Sequence, residues 1–128
     1  MKLIFVMLGG FFGAICRFAL GEWLNADNGF PIGTLIINIL GCFFLGWFLT
    51  FGSIKKKVNP ELTLLIGTGF TGAFTTFSTF SVETLRLLQK DFIFQAVIYV
   101  LLSIFVGLGM SYIGWRIAKS RRHEGGTV

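Results

Sequence analysis

Charged and strongly polar residues are widely spaced along this chain. An apolar run from Leu3 to Cys16 continues past Arg17 to Gly21, and the stretches 28–54, 62–82 and 92–115 carry no charged side chain. Each of the last three reaches the roughly 20 residues that a helix needs to cross a bilayer core. The arginine near the end of the first run can extend its head group to the interface. The pattern predicts an all-α membrane protein with four transmembrane helices over about residues 3–22, 32–52, 62–88 and 92–117. These form one domain, 1–119, followed by a polar tail, 120–128. The links are short and turn-rich: NADNGFP (25–31), SIKKKVNP (53–60) and QKDF (89–92). A cleaved leader fits the first run less well, because no small-x-small site leads into a soluble domain.

Composition agrees with the pattern: 54% hydrophobic, 13% charged and a mean hydropathy of +0.79 are outside the range of ordinary soluble domains. The net charge of +5 acquires meaning from its placement. With four crossings, both termini and the middle link share one side, which carries Lys2, Lys55, Lys56, Lys57, Arg116, Lys119, Arg121 and Arg122. The other side has Arg86 and Lys90, with Arg17 at a helix end. This asymmetry predicts cytoplasmic termini and a multi-pass protein of a bacterial-type cytoplasmic (inner) membrane, with no nucleic-acid partner. Cys16 and Cys42 lie within spans and form no CxxC or Cys/His cluster, so they read as small packing residues. With no extramembrane domain, one histidine (His123, in the tail) and no catalytic pairing of side chains, an enzyme is not expected.

The chemistry lies within the spans. Thr34, Asn38, Cys42 and Gly46 recur every four residues in the second span; Tyr99, Ser103, Gly107 and Ser111 do so in the fourth, and Gly9, Gly13 and Arg17 in the first. Small-residue faces let helices approach closely in lipid. A carboxamide near mid-span must in addition find polar partners, so Asn38 is expected to line something polar. Four helices are few to enclose a pathway, so assembly beyond the monomer is expected. In the third span, GFTGAFTTFSTFS (69–81) crowds Gly, Thr, Ser and Phe together. Glycine weakens a helix interior by about 1 kcal/mol, and broken helices inside membranes expose carbonyl ends to cations and amide ends to anions. A mid-membrane break over Gly69–Thr75 is therefore expected. Beyond it, Phe77 and Phe80 share a helical face beside Ser78 and Ser81. Their positive ring edges and hydroxyls could meet an anion together.

Three motifs, GGFFGAICR (9–17), GTLIINILG (33–41) and GFTGAFTTFSTFS (69–81), together resemble those of the small four-span Fluc/CrcB family of fluoride-specific ion channels. The resemblance covers essentially the whole chain. It implies an antiparallel dimer with two narrow pores that export cytoplasmic fluoride passively, reject chloride and give fluoride resistance. It also assigns roles. Asn38 becomes the pore-lining amide, and Phe77 and Phe80 the aromatic pair whose ring edges meet fluoride. Thr34, Ser78 and Ser81 form a hydroxyl track, with Ser103 and Tyr99 joining from span four and Glu83 along its exit. Arg17 sits at the aqueous vestibule. The backbone carbonyls of Gly72 and Thr75, from both subunits, would hold a structural sodium ion, Na+, at the dimer centre. The expected partners are thus fluoride, membrane lipid and an inverted second copy of the chain.

The biased charge distribution fits dual insertion imperfectly. Either charge controls insertion less than the rule implies, or the subunit pairs with an inverted homologous chain; the homodimer is the preferred reading. Two rival functions are weaker. A small proton-coupled multidrug exporter would need a carboxylate within span one, where Glu22 lies past the end. A non-transporting membrane assembly subunit would leave Asn38 and the Phe–Ser repeats without a role.

Overall fold

The computed structural model describes residues 1–24, 29–55 and 58–120, with Lys55 described by its backbone alone. Residues 25–28 of the first link, Lys56, Lys57 and the tail beyond Ser120 lie outside the described residues. All regular structure among the described residues is helical: α1 (Lys2–Trp23), α2 (Ile32–Lys55), α3 (60–74), α4 (Phe77–Gln89) and α5 (Ile93–Ser120). Three of them are long and apolar enough to cross a membrane: α1, α2 over Ile32–Ile54, and α5. Their outer faces leave Phe11, Phe18, Phe94 and Phe105 exposed, as suits surfaces solvated by lipid tails rather than water. Residues 62–88, read from the sequence as one crossing, are divided between α3 and the 13-residue α4.

Glycine sets how the helices pair. A Cβ added at Gly9 would overlap the Leu65 carbonyl oxygen, and one at Gly13 the Phe70 carbonyl oxygen, so α1 and α3 meet backbone to backbone. On the other side of the subunit, Gly46 lies under the Ser111 carbonyl, and Gly114 under the Phe43 carbonyl. The small-residue stripes of α2 and α5 therefore face each other. Such contact is the main source of helix affinity in lipid, where apolar area drives nothing.

The path of α3 differs from the expectation for 69–81. Asn59 caps it, accepting from the Glu61 N–H at 3.0 Å, and Pro60 fills its first turn. Leu64–Phe70 then widens into a π-helix, with the Thr71 hydroxyl donating to the Ile66 carbonyl at 2.9 Å. The helix runs through Gly69 and Gly72 and stops only after Phe74. Thr75 (φ −77°, ψ 155°) and Thr76 (φ −146°, ψ 120°) are extended. Gly69 thus serves close approach to Val6 of α1 rather than unwinding. The interruption falls on two β-branched residues that suit extended backbone, and the second starts the next helix.

Where α4 meets α5, the Phe92 N–H reaches the Leu87 carbonyl at 2.9 Å and the Asp91 N–H the Leu88 carbonyl at 3.1 Å. This is a Schellman motif whose left-handed position is Asp91, at φ 61°. The hinge brings Leu87, Ala96 and Tyr99 into one buried cluster, flanked by Phe30, Leu35 and Phe80. That cluster fixes α4 beside α2 and α5, and with it the polar groups described next.

Candidate functional site

The interruption between α3 and α4 leaves backbone groups that need partners. Asn38, in the second turn of α2, supplies two of them. Its Oδ1 accepts from the Thr76 N–H at 2.8 Å, and its Nδ2 donates to the Thr76 carbonyl at 3.0 Å. One carboxamide thus satisfies both polar groups of an extended residue, much as a neighbouring strand would. The Thr76 hydroxyl caps α4 by accepting from the Thr79 N–H at 3.2 Å. It also donates to the Thr79 hydroxyl at 3.1 Å and lies 3.2 Å from the Ser78 hydroxyl.

One turn further on, Glu83 joins three helices. The Thr34 hydroxyl of α2 donates to its Oε1 at 2.9 Å, and the Tyr99 hydroxyl of α5 donates to its Oε2 at 2.8 Å. Tyr99 has no exposed surface, and its ring lies between those of Phe30 and Phe80, with centroids at 5.7 and 5.1 Å. The apolar cluster therefore holds the phenol, and the phenol holds the carboxylate.

Two cavities flank this line. One, of about 330 Å³, is lined by Arg17, Glu22, Thr34, Thr79 and Glu83 and offers charge and hydroxyls. The other, of about 410 Å³, is an open, mostly apolar groove bordered by Asn38, Gly72, Thr75, Phe77, Phe80 and Ser103. Thr76 is a wall of both. The Phe77 ring is 80% exposed in the subunit and sits 5.8 Å from that of Phe80.

Of the residues singled out in the sequence, the structure joins Thr34, Glu83 and Tyr99 directly and places Asn38, Phe77, Phe80 and Ser103 around the groove. Arg17 lines the polar cavity together with Thr34 and Glu83. Ser81 and Ser103 donate to the carbonyls one turn back, of Phe77 at 2.9 Å and Tyr99 at 2.7 Å. Their hydroxyls are engaged within their own helices. Thr76 and Thr79 were not among the sequence candidates. The signal that could have found Thr76 is its capping chemistry, a hydroxyl three residues before the backbone N–H that it serves.

Gly72 and Thr75 lie at the carbonyl end of α3. Gly72 is exposed, and a Cβ added there would meet nothing within 4 Å. Carbonyls at a helix C-terminus carry partial negative charge, and oxygen-only ligation suits a hard cation. The donor chemistry therefore fits a sodium ion.

Compared with known proteins, residues 4–115 match the family model described as CrcB-like protein, Camphor Resistance (CrcB). A curated protein of Oceanobacillus iheyensis named "Fluoride-specific ion channel FluC" is 53% identical over 123 residues, 96% of this chain and 95% of that protein. "Fluoride-specific ion channel FluC 1" of Desulfitobacterium hafniense is 47% identical over 84% of this chain and 95% of its own length. "Fluoride-specific ion channel FluC" of Shewanella denitrificans is 43% identical over 94% of this chain and 98% of its own.

Proposed function

The chain belongs to the CrcB family, and from that premise we infer that it is a fluoride-specific ion channel, a multi-pass membrane protein that gives fluoride resistance and is not an enzyme. We further propose that α3 and α4 together make one interrupted crossing of the cytoplasmic membrane, so that the chain spans it four times. Two copies in opposite orientation would then close their open grooves against each other.

The observation that carries the pathway is the shared wall at Thr76 between the polar cavity and the apolar groove. An anion arriving at Arg17 meets a positive charge first, which concentrates anions at a mouth. It then passes the hydroxyls of Thr34 and Thr79 beside Glu83, whose two oxygens are each held by a donor. Past Thr76 it reaches Phe77 and Phe80, where positive ring edges and the Ser78 hydroxyl take over from water. A narrow way of this kind favours a small anion, because a larger one cannot approach several donors at once.

In the same reading, the Gly72 and Thr75 carbonyls of both copies hold a structural sodium ion. When bound, that ion supplies fixed positive charge between the two subunits. The chain's own part is to present those carbonyls at the end of α3.

Purified protein in liposomes loaded with fluoride tests the proposal. Fluoride is expected to leave quickly without a proton gradient, while chloride stays. Correctly assembled dimers that release no fluoride, or that release it only against a proton gradient, would refute the channel.

A further inference from the structure

In an unbroken helix the Thr76 N–H would bond to the carbonyl four residues earlier, that of Gly72. Here it does not: Thr75 is extended at ψ 155°, and the Thr76 N–H bonds to Asn38 Oδ1 at 2.8 Å. The Thr75 N–H still makes its helical bond to the Thr71 carbonyl at 3.0 Å, so the helix is lost at one defined step. The lost step leaves the Gly72 carbonyl without its helical donor, on an exposed residue where an added Cβ would meet nothing within 4 Å.

We propose that Asn38 is a positioning residue for the central cation: by holding the Thr76 peptide on both sides, it keeps the Gly72 carbonyl out of helical hydrogen bonding and available as a ligand. This deepens, and rests on, the channel reading above, in which Asn38 was expected to act as an amide lining the pore. Both polar atoms of its carboxamide are engaged with Thr76, and one Nδ2 hydrogen remains beyond the bond to the Thr76 carbonyl. The alternative state is concrete. Without Asn38, residues 75–76 can turn into the helix, the Thr76 N–H returns to Gly72, and the cation loses a ligand in each copy. The energies allow it: a helical hydrogen bond at membrane depth competes directly with the amide because no water is present to serve either group.

The test compares wild type, Asn38→Ser and Asn38→Asp as purified dimers. It measures the sodium concentration that half-saturates thermal stabilisation, hydrogen exchange at the Thr76 amide, and fluoride release from liposomes. Serine is too short to span the Thr76 peptide. It is expected to weaken sodium about tenfold, the size of one lost hydrogen bond. Aspartate keeps an acceptor for the Thr76 N–H. It is expected to hold sodium within about threefold of wild type while repelling fluoride and losing most of the flux. A Ser variant with wild-type sodium dependence overturns the proposal, as does fast exchange at Thr76 in the wild type. Should the Ser variant not assemble, Asn38→Asp decides, since loss of sodium together with fluoride there is equally fatal. In all these cases fluoride release by the wild type stands as a separate measurement, and its absence would count against the channel itself.

Discussion

The Tyr99 hydroxyl donates to Glu83 Oε2 at 2.8 Å from a ring with no exposed surface. The phenol has no water as an alternative partner, whereas Glu83 also lines the polar cavity, so the bond connects the apolar cluster to the polar line. Tyr99→Phe keeps the ring and removes the donor, leaving Glu83 with Thr34 alone. The expected cost is about 1–3 kcal/mol, seen as a lower midpoint in denaturing detergent, with a several-fold drop in fluoride release. Unchanged flux from a destabilised variant would show that Glu83 orientation serves folding only.

The helix pairing makes a second, sharper contrast. Gly9→Ala and Gly13→Ala place a methyl group against backbone carbonyls of α3, which cannot swing aside as side chains do. Each is expected to destabilise the subunit by about 1–3 kcal/mol. Gly109→Ala meets nothing within 4 Å inside α5 and should leave the subunit as stable or up to about 1 kcal/mol more stable in the same assay. Gly72 is equally open within one chain. Gly72→Ala is therefore expected to leave the subunit's helix content unchanged while weakening dimerisation. Equal dimer stability for Gly72→Ala and Gly109→Ala would argue against a subunit contact at Gly72.

Much of this arrangement is legible in the residues. Long apolar runs mark α1, α2 and α5, the first interrupted only by Arg17 near its end, because such lengths have few other uses in a chain so poor in charge. The four-residue stripes of α2 and α5 announce their contact, and Cys42 indeed lies beside Gly107. The interruption is harder to place. Glycine content points to Gly69–Thr75, but a glycine that lets two helices touch looks the same in sequence as one that unwinds a helix. Partners decide which it is, and those partners, Val6 for Gly69 and Asn38 for Thr76, are distant in the chain. Asn38 is conspicuous as a carboxamide in a span, but nothing local says that its partner is a backbone peptide rather than an ion.

The α4–α5 hinge carries a correctable strain. Asp91 holds φ 61°, a conformation that glycine adopts freely and that other residues adopt at a cost. Asp91→Gly is expected to stabilise the subunit by roughly 0.5–1 kcal/mol, the usual gain from relieving a left-handed position. Fluoride release should not change, since the hinge lies outside both cavities. A destabilised Asp91→Gly variant would mean that the Asp91 side chain contributes more than its backbone strain removes.

Phe77 and Phe74 separate conduction from folding. Phe74 is 8% exposed and stacks on Phe70 at 5.8 Å, so Phe74→Ala is expected to cost about 3–5 kcal/mol and to reduce the yield of folded protein. Phe77 is 80% exposed in the subunit, and little of the subunit's stability depends on it. Phe77→Ile keeps an apolar side chain but removes the aromatic edge. Ring-edge contacts are worth about 0.5–1.5 kcal/mol, which corresponds to a roughly twofold to tenfold loss of fluoride release. Detergent unfolding and cross-linking should meanwhile remain at wild-type values. Phe77→Ile dimers that conduct at the wild-type rate would remove the ring from the pathway, and the groove at Asn38 and Phe80 would then need another occupant.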